Sequence, residues 1–210
     1  MSDQSHHTLH AVPFACSLAV HLVLVQHEVP FTIRWERRGE RRLIEGDDLA
    51  AVNAKRKVPT LVLPSGEVLT EIVGVLHHLD EVLAGPREPA ARRRLIEWLS
   101  FIATEVHKQV LAPAYDPGVS EEAREDARQR LLPPVLDPLE AALSTRETLL
   151  GGPTPSGADA YAFWSLLLLR DLWPEVVATP GLTAFRRRMQ ALSCSRRTLA
   201  REQEAMAAVR

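Results

Sequence analysis

A change in the pattern of the sequence near residue 84 is the feature that most constrains the fold. Up to residue 83, short strand-like runs alternate with helical segments, whereas residues 91–210 show helical periodicity and no convincing strand. Between them lies AGPREPA (84–90), whose glycine, prolines and charges are typical of a linker. The sequence therefore predicts an α/β domain over residues 1–83, followed by an all-helical domain over residues 91–210.

The N-terminal part has the element order β-α-β, a connecting segment, and then β-β-α. Alternation and apolar runs predict the strands, and a Ser65-Gly66 turn predicts that the last two form a hairpin. Such an order indicates a small sheet with mixed strand directions. The predicted strands cover 8–12, 31–35, 60–64 and 67–69, and the predicted helices cover 16–27 and 71–83.

The C-terminal part reads as a series of helices. Residues 92–111 form one long amphipathic segment, and 120–132 open another that Pro133, Pro134 and Pro138 are expected to interrupt. The segment from Ser156 to Leu172 is too apolar for a surface helix, which places it at the centre of its domain. Ser156 followed by Asp159 resembles a capping box at its start.

Charge and composition argue against several kinds of partner. The net charge of −2 and the 5% aromatic content favour neither nucleic acid nor an anionic membrane surface. The longest apolar windows are far shorter than the roughly 20 residues of a membrane-spanning helix. The first ten residues do not have the pattern of a secretory signal, and the two cysteines make no disulfide framework, so we expect a reducing, cytoplasmic setting.

Cys16 stands where a predicted strand gives way to a predicted helix. The N–H groups and dipole at a helix start stabilise a thiolate and lower a thiol pKa. The alternative is that Cys16 is a small apolar filler, as cysteines often are. The chain has no C-x-x-C pair, so a partner thiol would have to come from another molecule.

A Val58-Pro59 step directly precedes an apolar strand, which is unusual because proline interrupts strand pairing. A cis bond there would leave the Val58 backbone facing outward, where it can pair with an extended peptide ligand. An ordinary edge-strand proline is the alternative.

Four motifs in order resemble the bacterial beta-class glutathione transferases. They are PFACSLAVHLVL, EGDDLAAVNAKRKVPTLVL, SGEVLTEIVGVLHHL and IEWLSFIATEVHK, and the likeness resumes at GADAYAFW. The resemblance implies a thioredoxin-like N-terminal domain and a C-terminal helical bundle. It also implies that Cys16 meets the sulfur of glutathione and can form a mixed disulfide with it.

The resemblance assigns further residues of the N-terminal domain to the glutathione site. The Val58 backbone, before Pro59, would pair with the cysteinyl unit of glutathione. Glu71 would bind its ammonium group, and the N–H groups of Glu71 and Ile72 would bind the γ-glutamyl carboxylate. Arg41 matches a basic residue that contacts glutathione, although its charge run, RWERRGERR, is otherwise typical of a solvated surface.

Four residues of the long helix match glutathione-site positions: Ser100, Thr104, Glu105 and His107. Residues 100, 104 and 107 share one face of an α-helix by their spacing. His107 matches a histidine close to the sulfur, where it would favour the thiolate or act in acid–base chemistry. Cys16 and His107 are therefore the predicted catalytic residues, and by position alone His107 would be a boundary residue of the helix.

The sequence departs from the family pattern at several positions. Ile72 stands where a serine or glycine is usual, so a hydroxyl is lost and a bulkier side chain is expected to crowd the site. Ala54 and Arg56 replace the proline and glycine of the family's NPKGQVP, which creates a basic run at 55–57. Ser100 replaces a common asparagine.

The resemblance implies a homodimeric glutathione transferase that conjugates glutathione to small hydrophobic electrophiles, with glutathione as co-substrate and no metal or cofactor. The electrophile pocket would be built around 107–116 and 161–173, and the sequence does not name its substrate. Two alternatives stay open: glutathione-dependent disulfide exchange through Cys16, and a binding protein that keeps the scaffold without the chemistry.

Overall fold

The computed structural model describes residues 6–37 and 47–209. The chain divides into two compact units, and the predicted combination of an α/β part and an all-α part is confirmed. Unit 1 comprises the chain up to Pro86 together with Leu192–Arg210, and unit 2 comprises Arg87–Ala191. In this division the last helix belongs to unit 1, and the domain bounds of 1–83 and 91–210 stay predictions.

Unit 1 contains a four-stranded sheet in the order β2-β1-β3-β4. The central strand β1 pairs in parallel with β2 and antiparallel with β3, and β3 forms an antiparallel hairpin with β4. The predicted mixed sheet and its hairpin are therefore present. The strands are β1 (His7–Ala11), β2 (Phe31–Trp35), β3 (Thr60–Val62) and β4 (Val68–Thr70).

Unit 1 also contains helices between and after these strands. They are α1 (Ser17–Gln26), α2 (Asp47–Val52), α3 (Ile72–Leu83) and α10 (Ser193–Val209). Every residue of α1 from Ser17 to Leu24 is buried, because the helix contacts β1, α3 and α10 on different sides. Helix α10 turns buried residues at 194, 195, 198, 202 and 205 towards α1, and this helical spacing explains why it joins unit 1.

Unit 2 is helical. Its elements are α4 (Pro89–Phe101), a π-helical segment (Ile102–Leu111), α5 (Ala112–Ala114), α6 (Glu121–Arg130), α7 (Leu132–Leu143), α8 (Gly157–Leu172), a 3₁₀ turn (Pro174–Val177) and α9 (Pro180–Ala191). Helix α8 is buried from Gly157 to Leu167, as its apolar sequence predicts. The predicted capping box is confirmed: the Ser156 hydroxyl accepts from the Asp159 N–H while the Asp159 carboxylate accepts from the Ser156 N–H.

The prediction that three prolines interrupt a helix near residue 133 is wrong for Pro138. Pro133 and Pro134 lie in the first turn of α7, where a missing N–H is no loss. Pro138 lies inside α7, which continues to Leu143. Its exposed position lets water reach the carbonyl that loses a partner, while a buried stripe that includes Val135 and Leu139 keeps the helix packed.

Across the described ranges, no helix is long and apolar enough to cross a membrane.

Candidate active site

Cys16 occupies the N-cap position of α1, at the junction that the sequence predicts. Its side chain is 9% exposed, and the Sγ donates a weak hydrogen bond to the Val58 carbonyl oxygen at 3.5 Å. The two strongest local signals in the sequence, the cysteine and the Val58-Pro59 step, are therefore in direct contact. This pair is the centre of the candidate site in unit 1.

Ser17 fixes the turn that carries Cys16. Its buried hydroxyl donates to the Val12 carbonyl at 3.2 Å and accepts from the Val12 N–H at 3.3 Å. The end of β1 and the start of α1 are thereby joined across the turn. Phe14 inside this turn has a φ of 56°, a left-handed conformation that is uncommon for a bulky residue.

Glu202 of α10 supports the same turn from the far end of the sequence. Its Oε2 accepts from the Phe14 N–H at 2.7 Å, and its Oε1 lies 2.7 Å from Nδ1 of His21 in α1. Both His21 and Glu202 are completely buried. The sequence analysis missed this residue, although its place in the buried stripe of α10 was a usable signal.

The peptide bond between Val58 and Pro59 is cis, as the sequence analysis considered. Asn53, which the analysis did not single out, organises the loop before it. Its buried side-chain amide donates to the Lys57 carbonyl at 3.1 Å and to the Thr60 hydroxyl at 2.8 Å, while its carbonyl oxygen accepts from the Lys55 N–H at 3.0 Å. One asparagine thus fixes the path of the chain into Val58.

Arg56 has a φ of 50° in this loop. This left-handed conformation costs a side-chain-bearing residue energy that glycine avoids. The departure from the family's glycine therefore falls at a position where the backbone itself favours glycine. Its N–H donates to the Asn53 carbonyl at 2.9 Å, which closes the turn.

Glu71 is the N-cap residue of α3, and its side chain makes no capping hydrogen bond to that helix. The carboxylate is 70% exposed and its Oε1 lies 2.9 Å from Nζ of Lys55. Lys55 also donates to the Thr70 hydroxyl at 2.9 Å. One residue of the basic run is thus paired with the predicted ammonium-binding carboxylate.

Ile72 is a core residue with 9% of its surface exposed. The sequence analysis expected its bulk to crowd the site, whereas the structure directs the side chain away from solvent. What the departure removes is the hydroxyl that serine would supply. Arg41, another predicted glutathione contact, lies outside the described residues.

The predicted site residues of unit 2 lie along the segment that begins with α4. Ser100 is exposed in α4, and Thr104, exposed in the π-helical segment, donates its hydroxyl to the Ser100 carbonyl at 3.0 Å. The Glu105 carboxylate accepts from the Gln109 amide at 2.5 Å. From Ile102 onward the segment is π-helical, with hydrogen bonds that span five residues instead of four, and the shared face of residues 100, 104 and 107 stays a prediction.

His107 lies in an aromatic cluster. Its Nδ1 is 2.7 Å from the Tyr161 hydroxyl, and its ring is packed edge-on against Trp164 at a centroid distance of 4.8 Å. Both partners come from α8. Both lie in the 161–173 segment that the sequence analysis placed around the electrophile pocket, but it did not pair them with His107, although their i, i+3 spacing places them on one side of that helix.

Tyr115 lies in a segment that the sequence analysis placed around the electrophile pocket. Its side chain is 40% exposed and its hydroxyl donates to the Leu168 carbonyl at 3.3 Å. Partial burial and the nearby Asp171 carboxylate raise the pKa of Tyr115 to about 12. Tyr115 therefore stays protonated as a phenol at neutral pH.

Comparisons with known proteins show the family of the chain. The family models of the glutathione S-transferase N-terminal and C-terminal domains match residues 15–82 and 97–192. Glutathione S-transferase GstA of Escherichia coli O157:H7 is 35% identical over 182 residues, which cover 84% of this chain and 89% of that protein.

Two solved structures extend the comparison. The bacterial beta-class glutathione S-transferase of Sphingomonas chungbukensis has a TM-score of 0.81 at 33% identity, covering 93% of this chain and 98% of that one. A sphingomonad glutathione S-transferase complexed with glutathione has a TM-score of 0.82 at 30% identity, with the same coverage of the two chains. The chain therefore belongs to the glutathione S-transferase family, and bacterial beta-class members are among its structural neighbours.

Proposed function

We propose that this transferase binds glutathione with its sulfur beside Cys16 and conjugates it to a small hydrophobic electrophile. The observation that carries the proposal is the 3.5 Å contact between Cys16 Sγ and the Val58 carbonyl. A cysteinyl unit that pairs with the Val58 backbone would bring its own sulfur close to Cys16. The N-cap position of Cys16 adds the N–H groups and dipole of α1, which favour negative charge on sulfur.

Glu71 is the proposed partner of the glutathione ammonium group. Its carboxylate is exposed and does not cap its own helix, so it can accept a ligand cation. The ion pair with Lys55 does not prevent this, because an exposed salt bridge is worth only about 0–1 kcal/mol. The first N–H groups of α3 would then face the γ-glutamyl carboxylate.

The reaction itself is nucleophilic attack by the glutathione thiolate. The thiol gives up its proton, the sulfur forms a bond to the electrophilic carbon, and the leaving group departs with the electron pair of its former bond. The protein contributes by favouring the thiolate and by orienting it. Ser100, Thr104, Glu105 and His107 stay predictions carried by the resemblance, as do Arg41, the hydrophobic electrophile pocket, the homodimer and a cytoplasmic setting.

Disulfide exchange is the second candidate, and the position of Cys16 at the N-terminus of α1 favours it, because this position stabilises the attacking thiolate. In that reaction the Cys16 thiolate attacks one sulfur of a glutathione mixed disulfide and releases the other as a thiolate. A second glutathione then attacks the protein–glutathione disulfide, which releases glutathione disulfide and restores Cys16. Both candidates use the same glutathione site.

A calorimetric titration of the reduced protein with glutathione tests the shared step. We expect saturable binding of one glutathione per chain, and a parallel titration with S-methylglutathione should show weaker binding because the thiolate is blocked. Absence of heat, together with absence of thermal stabilisation at millimolar glutathione, contradicts the proposal and favours a binding protein that has lost the glutathione site.

A further inference from the structure

The hydrogen bond between His107 and Tyr161 joins the π-helical segment to α8 inside unit 2. The distance between His107 Nδ1 and the Tyr161 hydroxyl is 2.7 Å, which is short enough for a well-formed hydrogen bond. Tyr161 is completely buried, so its ring has no freedom to follow a mobile histidine. The buried tyrosine therefore holds its hydroxyl in a fixed position relative to the imidazole.

Trp164 restrains the same imidazole from a second direction. It is 3% exposed, it stacks on Tyr161 at a centroid distance of 5.6 Å, and it meets His107 edge-on at 4.8 Å with an interplanar angle of 72°. Aromatic pairs of this edge-to-face kind are individually favourable. One hydrogen bond from Tyr161 and edge-on ring contacts with Tyr161 and Trp164 thus restrain the orientation of His107.

The hydrogen bond also bears on where the proton of a neutral imidazole resides. A neutral histidine has one donor nitrogen and one acceptor nitrogen, and the bond made by one nitrogen sets the role of the other. An imidazole nitrogen, with a reference pKa near 6.5 for its protonated form, is a better proton acceptor than a phenol oxygen. The favoured arrangement has the Tyr161 O–H donating to Nδ1, which leaves the proton on Nε2.

We propose that Tyr161 is a positioning residue that holds His107 as the Nε2–H tautomer, with Trp164 fixing the ring plane. This rests on the proposed function, in which His107 is a predicted catalytic residue. An Nε2–H group is a hydrogen-bond donor and therefore suits a thiolate. The tyrosine thus acts on the reaction only through the histidine.

The first test determines the tautomer of His107 in the unsubstituted protein. Nitrogen NMR of protein labelled in its histidine rings, with the His107 signals assigned by comparison with His107→Asn, distinguishes a protonated from an unprotonated ring nitrogen. We expect His107 in the neutral form to carry its proton on Nε2. A proton on Nδ1 overturns the proposal whatever the behaviour of the variants.

The second test compares Tyr161→Phe with Thr148→Val. Thr148 is also buried in unit 2 and also donates one 2.7 Å hydrogen bond, to the Gly152 carbonyl, so it controls for loss of a buried hydroxyl. We expect Tyr161→Phe to give a mixture of His107 tautomers and to lower kcat about tenfold, a fraction of what an acid–base group contributes, with less change in KM for glutathione. Thr148→Val should leave the His107 tautomer and kcat unchanged. Nitrogen signals of His107 that are unchanged in Tyr161→Phe overturn the proposal.

The His107→Asn variant separates this proposal from the proposed function. Full activity in His107→Asn shows that His107 has no catalytic part, which contradicts that element of the proposed function. The nitrogen signals of Tyr161→Phe still report on the Tyr161–His107 pair in that case. Failure of glutathione to bind at all would instead appear in the calorimetric titration.

Discussion

The Glu202 carboxylate accepts a hydrogen bond from the backbone N–H of Phe14 at 2.7 Å, across 188 residues of sequence. Phe14 lies two residues before Cys16, in a turn with a left-handed residue. The other oxygen of the same carboxylate holds His21 in α1. One buried side chain from the last helix therefore supports both the turn that carries the thiol and the helix that follows it.

Replacing Glu202 by alanine should destabilise the protein strongly. The change leaves the partly buried Phe14 N–H and the buried His21 ring without this acceptor, and we expect a loss of about 3 kcal/mol in the free energy of unfolding. Urea denaturation measures it, and Glu204→Ala, an exposed glutamate of the same helix, is the matched control. Equal midpoints for the two variants would show that the Glu202 contacts contribute nothing.

The Glu202 contacts show why sequence patterns predict some parts of the fold and not others. Some features depend only on residues that are near one another in sequence, and these were predicted from local spacing. They are the strand at 31–35, the buried α8 and the Ser156 capping box. The assignment of α10 to unit 1 depends on packing against α1, which is remote in sequence. Periodicity shows that α10 has a buried stripe but does not show which surface covers it.

Arg56→Gly should stabilise the protein, because glycine adopts a φ of 50° without the cost that a β-carbon imposes. Removing the strain of the left-handed conformation would stabilise the folded state by about 1–2 kcal/mol. The greater backbone entropy of glycine in the unfolded chain offsets part of this, so we expect the free energy of unfolding to rise by about 0.5–1 kcal/mol. Lys57→Gly is the control, since Lys57 does not have a positive φ. It should lose stability, and a loss of similar size in Arg56→Gly would contradict the backbone argument.

Glu71→Gln should weaken glutathione binding about tenfold or more, because the amide keeps the shape of the carboxylate but loses its charge for the ammonium group. Calorimetric titration measures the change in Kd. Glu67→Gln removes the same charge from an exposed residue of the neighbouring turn and should have little effect. Similar affinities in the two variants would remove Glu71 from the site.

The lowered pKa of Glu140 predicts that the free energy of unfolding depends on pH through this residue of unit 2. Partial burial favours a raised pKa, but hydrogen bonds from Thr179 and from the N–H groups of Gly181 and Leu182 outweigh it, so that the pKa of Glu140 is lowered to about 2. A lowered folded-state pKa stabilises the fold above the unfolded value near 4.5 and loses that contribution as the pH falls towards 2.

Glu140→Gln should therefore cost about 1.5–3 kcal/mol at pH 7, and the difference from the wild type should shrink at pH 3. The free energy of unfolding at both pH values is the measurement. Glu147→Gln, which alters an exposed glutamate in the loop after α7, should change neither value appreciably. A penalty for Glu140→Gln that is independent of pH would show that the charge of Glu140 is not what holds the start of α9.

The candidate site was predictable where its chemistry is local, and less so where the helix geometry changes. The positions of Cys16 and Pro59 follow from a helix start and a proline before a strand. The face assigned to residues 100, 104 and 107 assumed α-helical spacing, whereas the segment is π-helical from Ile102 onward. Over so short a segment, the spacing of the apolar residues does not distinguish α-helical hydrogen bonds, which span four residues, from π-helical ones, which span five.

Cys16→Ser should separate the two candidate reactions. A serine hydroxyl can still donate a hydrogen bond to the glutathione sulfur but cannot form a mixed disulfide with it, so conjugation should fall only in part while glutathione-dependent disulfide reduction is abolished. Steady-state rates with an aryl halide and with a mixed disulfide of glutathione measure the two activities. Cys194→Ser, which removes the other buried cysteine, should leave both rates unchanged. Survival of both activities in Cys16→Ser would mean that the thiol at the start of α1 takes no part in either reaction.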